Sequence, residues 1–89
     1  MDETPRRRDV QDLFSQGRLV TMPRKAARRE QLLTHLAETL FEADAEYGEA
    51  EVNERLSAVY DDYALLRRDL VEAGKLRRHR DGCTYWRAA

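Results

Sequence analysis

The chain has 89 residues, 42% of them hydrophobic and 37% charged, with a formal net charge of -1. That length admits one small domain with a heavily charged surface, and the apolar fraction is too high for a disordered chain. No apolar run approaches the roughly 18 residues of a membrane span. The start carries Arg6, Arg7 and Arg8 with no apolar stretch behind them, so no secretory signal is expected, and the single cysteine, Cys83, cannot close an internal disulfide; a reducing cytoplasm is the expected compartment.

Residues 1–8 are polar, contain Pro5 and read as a flexible tail. Residues 9–23 read as a short helix and an extended piece. Val10, Leu13 and Phe14 fall at i, i+3 and i+4, Gly17 stops the helix as a C-terminal cap, and Leu19, Val20 and Met22 follow up to Pro23. The spacing of Leu32, Leu33, Leu36 and Leu40 predicts the longest helix, from about Arg24 to Ala43, with Phe41 pointing away from its apolar stripe.

A second helix is predicted to start near Glu49, with Gly48 at the cap position, Glu51 three residues on, and Val52, Leu56, Val59 and Tyr60 as its apolar face. Asp61 is the expected cap of a third helix running from about Asp62 to Ala73. Leu66, Leu70 and Ala73 lie on its inner face and Ala64, Arg68, Val71 and Glu72 on its outer face, with Arg67 on the flank; Gly74 ends it. Lys75–Arg80 and Cys83–Arg87 then flank Asp81-Gly82, a strong hairpin signal. A two-residue turn sets Arg78 opposite Tyr85 and Arg77 opposite Trp86, with Leu76 and Tyr85 inward and the Arg77 guanidinium across Trp86 as a cation–π pair.

Helix, extended link, helix, tight turn, helix, hairpin is the order of a winged helix. The expected fold is mainly α with a small C-terminal β-hairpin, the winged-helix domain occupying 24–89. In that fold the third helix enters the major groove and the hairpin is the wing. Arg67 and Arg68 would then meet phosphate or guanine, for which a planar guanidinium is suited, and Arg78, His79 and Arg80 would reach the backbone or minor groove.

Charge is unevenly spread: residues 30–62 hold ten acids and one base, Arg55, between two basic ends. Arg24, Lys25, Arg28 and Arg29 at the start of the long helix oppose its dipole, which points either to a partner anion or to salt bridges with the acidic middle.

The pattern Phe14, Gly17, Arg18, Leu19, Pro23, then Leu33, Leu36, Phe41, then Tyr47, Glu51, Val52, Asn53, Leu56, and finally Asp62, Leu66, Arg67, Arg68, Leu70, Gly74 and Tyr85-Trp86 resembles the bacterial family catalogued as domain of unknown function 2087. The likeness spans roughly residues 12–87. That family occurs as a stand-alone domain and as an extension of helix-turn-helix regulators, so the resemblance implies a link to transcription without naming an operator or effector.

Two functions stay open. One is a duplex-DNA-binding or DNA-associated domain of a bacterial transcriptional regulator. The other is a non-catalytic protein-interaction module in which Val10, Leu13 and Phe14, or the acidic second helix, docks a partner protein or a second copy. An enzyme is not expected: the sequence has no glycine-rich phosphate loop and no nucleophile elbow. The acidic run has no calcium-loop spacing, and His35 and His79 have no companions for a zinc set, so no metal or cofactor is expected.

Overall fold

The computed structural model describes residues 10–81 and 83–88; the tail read at residues 1–8 and the Gly82 half of the turn lie outside them. Among the described residues the helical piece at the start covers only Val10 and Gln11. It leads into a hairpin of β1 (Phe14–Ser15) and β2 (Arg18–Leu19), with Phe14 opposite Leu19. Gln16 (φ 53°) and Gly17 (φ 82°) both take positive φ. That is the two-residue loop whose twist matches paired strands, so Gly17 completes a hairpin turn instead of capping a helix.

The long helix, α1 (Ala26–Leu40), buries Leu32, Leu33, Leu36 and Ala37 and is shorter at both ends than the sequence suggests. At its start, Lys25 takes the cap position in extended backbone and offers no side-chain cap. At its end the chain turns extended at Phe41, whose ring swings into the core, 2% exposed and edge-on to Tyr47 at 5.1 Å. A helix continuing to Ala43 would have carried Phe41 outward. Two arginines from later elements take the released carbonyls: Arg55 donates to the Leu40 oxygen at 2.8 Å, and Arg87 to the Phe41 oxygen at 3.1 Å. Cations at a helix C-terminus also suit its dipole.

Tyr47 lies in a strand the sequence did not suggest, β3 (Glu46–Gly48), where it is buried and its hydroxyl accepts the Glu42 N–H at 2.8 Å. The second helix, α2 (Glu49–Ser57), starts at Gly48 without a side-chain cap and buries Val52 and Leu56. The third helix, α3 (Tyr63–Glu72), is capped by Asp62, whose carboxylate accepts from the Leu65 N–H at 3.2 Å; Asp61 is instead held by Arg18 at 2.7 Å. Its far end closes by the double pattern of a glycine cap: Gly74, at φ 78°, donates to Val71 and Lys75 donates to Leu70.

The last two strands, β4 (Leu76–Arg78) and β5 (Thr84–Arg87), pair as the two-residue turn requires: Arg78 faces Tyr85 and Arg77 faces Trp86. β5 is the middle strand, with β3 antiparallel on its other side. Among the described residues there are therefore three full helices and two small antiparallel sheets, more strand than the expected helices plus one hairpin. Leu66, Leu70, Leu76 and Tyr85 join Leu33, Leu36, Val52 and Leu56 in one core. Among the described residues no helix is long and apolar enough to cross a membrane.

Candidate nucleic-acid interface

The structure sorts the basic side chains into two sets. The first set holds the fold together. Arg18 donates to the Ser57 and Ala58 carbonyls, at 3.2 and 3.1 Å, and pairs with Asp61, clasping the first hairpin to the end of α2. The Leu19 N–H adds a bond to the Val59 oxygen at 2.7 Å. Arg55 lies over the Tyr47 ring, 4.7 Å from its centroid, while capping α1. Lys75 reaches Glu30 on α1 at 2.9 Å. None of these roles was readable from local sequence, because each partner belongs to a different element.

Two residues expected to meet DNA belong to this first set. Arg67 donates to the Asn53 side-chain oxygen and lies 3.6 Å from a Glu49 carboxylate oxygen, with its side chain only 23% exposed. It bridges α3 to α2. Arg28 is paired with Asp12 at 2.6 Å, so the start of α1 uses it as an internal salt bridge.

The second set is exposed and makes no side-chain ion pair or hydrogen bond among the described residues: Arg24 and Lys25 before α1, Arg68 on α3, and Arg77, Arg78 and Arg80 on and after β4. Ala64 is exposed on α3 one turn before Arg68, leaving that face uncrowded. α3 packs against β4, and only Ala73 to Lys75 separate the two.

His79 is placed differently from the arginines beside it. Its ring sits 4.7 Å from that of Trp86, and its Nε2 is 3.8 Å from a Glu46 oxygen. The expected cation–π contact on Trp86 is therefore replaced by an imidazole contact, with Arg77 exposed to solvent.

The hydrophobic surface expected at the start is not available for docking. Val10 and Leu13 are 2% and 3% exposed, and Phe14 packs against the core with its ring edge-on to His35 at 5.7 Å. The apolar i, i+3, i+4 stripe faces the chain's own interior. Cys83 is exposed, with its N–H donating to the Asp81 carboxylate at 2.9 Å. Among the described residues no three His, Cys, Asp or Glu side chains converge on one point.

A family model described as "Uncharacterized protein conserved in bacteria (DUF2087)" matches residues 18–87. The chain belongs to this family. The match takes in α1 to α3, the three-stranded sheet and the Arg18 clasp, and leaves out the Val10–Gly17 segment. No curated protein and no solved structure matches the chain.

Proposed function

We propose that this DUF2087 domain is a winged-helix module that binds duplex DNA as part of bacterial transcriptional regulation. α3 is the groove helix and β4–β5 the wing. The order α1, β3, α2, α3, β4, β5, with β5 between β3 and β4, supports the winged-helix reading. The single observation that carries the function is the division of the cations. While Arg18, Arg28, Arg55, Arg67, Lys75 and Arg87 are consumed by internal partners, Arg68 on α3, Arg77 and Arg78 on β4 and Arg80 just after it are left exposed, with no side-chain partner among the described residues. Exposed guanidinium groups on α3 and on the wing are what phosphate neutralisation needs.

In this reading Arg68 is the base-reading candidate and Arg77, Arg78 and Arg80 position the duplex. Arg24 and Lys25 add phosphate contacts if α1 starts beside the backbone. Arg67 sets the angle between α2 and α3. Binding of a random duplex pool at several salt concentrations tests the proposal.

A second reading, a protein-interaction module, is favoured by α2. Glu49, Glu51 and Glu54 crowd the helix that packs on α3, and carboxylates there repel a phosphate backbone. In that version the acidic face takes a basic partner and Val20, 61% exposed, supplies apolar contact. Partner binding without duplex binding separates it from the first.

A further inference from the structure

Apart from the cations of α3 and the wing, a shallow cavity of about 240 Å³ opens between the α1–β3 connection and the outer face of the three-stranded sheet. Ala43, Ala45 and the Trp86 indole give it apolar walls, and Asp44, Glu46 and His79 give it polar ones. The strand register explains the grouping. Glu46 and Trp86 are cross-strand partners, so the carboxylate and the indole stand side by side on one face. Arg77, the neighbour of Trp86 on the other side, does not line the cavity.

The carboxylates have charge to spare. Asp44 makes no side-chain ion pair or hydrogen bond among the described residues, and Glu46 has only the loose 3.8 Å approach of His79. An indole attracts cations through its ring quadrupole, and two carboxylates beside it strengthen that preference while repelling anions. The volume falls below the range of about 300–1,000 Å³ typical of sites for whole small molecules. It suits a charged head group on a short hydrocarbon stem. We propose that this cavity binds an organic cation, an ammonium or guanidinium group on an aliphatic stem, held by Trp86, Asp44 and Glu46. The site is separate from α3 and does not depend on the duplex-binding reading.

Trp86 is the only tryptophan, so its indole N–H resonance reports on this cavity alone. The full chain is titrated with butylguanidinium and with its neutral isostere butylurea, following that resonance. The expected result is a saturable shift with the guanidinium and affinity lower by about tenfold or more for the urea. The shift is lost over the same concentrations in the variant Asp44→Asn/Glu46→Gln, whose amide spectrum stays folded because both positions are exposed.

A short peptide carrying one arginine, compared with the same peptide carrying citrulline, separates the two sources of such a cation. An arginine peptide that binds about tenfold or more tighter than butylguanidinium assigns the site to a partner protein's side chain; equal or weaker binding assigns it to a free small cation. Equal indole shifts with butylguanidinium and butylurea, a shift that never saturates, or wild-type binding by the double variant overturns the proposal.

Discussion

Arg67 donates to the side-chain oxygen of Asn53, and this bond ties the helix proposed to enter the groove to the helix behind it. Of two adjacent arginines, one is spent on architecture and the other, Arg68, is left facing solvent. The two should therefore respond differently to substitution. Arg68→Ala should leave the urea midpoint within experimental scatter and weaken duplex binding. Arg67→Ala should lower stability by about 1 kcal/mol, a charge-assisted bond discounted for partial exposure. Equal stability of the two variants would show that the bridge to α2 contributes nothing.

Leu70 is fully buried in the shared core. Leu70→Ala should cost about 2–5 kcal/mol, the range for a leucine whose cavity cannot collapse, measured by denaturant unfolding. A loss below about half a kcal/mol would be incompatible with α3 packing as described, since a buried leucine removed at so small a cost is outside that range.

Leu66 and Leu70 on the inner face of α3, the Gly48 start of α2 and the register of β4 with β5 were legible, because each rests on spacing within a few residues; Ala73, expected on that inner face, is exposed at the helix end, and Val71, expected opposite, packs partly against the core. β3 was not. Tyr47-Gly48 reads locally as a helix start, and the strand exists only because β5, nearly forty residues later, pairs with it. The first hairpin was illegible for a related reason. Val10, Leu13 and Phe14 satisfy helical spacing, but two positive-φ residues at Gln16 and Gly17 reverse the chain immediately afterwards. The candidate site was half legible. Exposure of Arg68, Arg78 and Arg80 followed from helix face and wing position, whereas the fates of Arg67, Arg28 and His79 depended on Asn53, Asp12, Glu46 and Trp86 in other elements. Long side chains find partners that local pattern does not display.

Gly17 provides a direct check on the hairpin. A Cβ built there meets no atom within 4 Å, so the cost of Gly17→Ala is purely conformational. At φ 82° it should destabilise by about 1 kcal/mol. Asn, which tolerates left-handed backbone, should cost less than Ala. If Ala and Asn cost the same, the turn is not the one described.

Cys83 is exposed and is the only cysteine. Mild oxidation should produce a dimer that reducing agent reverses, seen on a non-reducing gel, with no change in the monomer's unfolding midpoint. The dimer should be absent in Cys83→Ser. A shift in the monomer midpoint that depends on Cys83 would instead mark the thiol as a sensor.

The central claim is tested most directly by the salt dependence of binding to a random duplex pool, with wild type beside Arg78→Ala/Arg80→Ala. Six exposed cations with no side-chain partner among the described residues, Arg24, Lys25, Arg68, Arg77, Arg78 and Arg80, predict a slope of log affinity on log salt of about -5. Removing two of them should flatten it by about two units and weaken all sequences alike. Absence of duplex binding by the wild-type chain at about 50 mM salt, where electrostatic binding is strong, would contradict the account and leave the interaction module in its place.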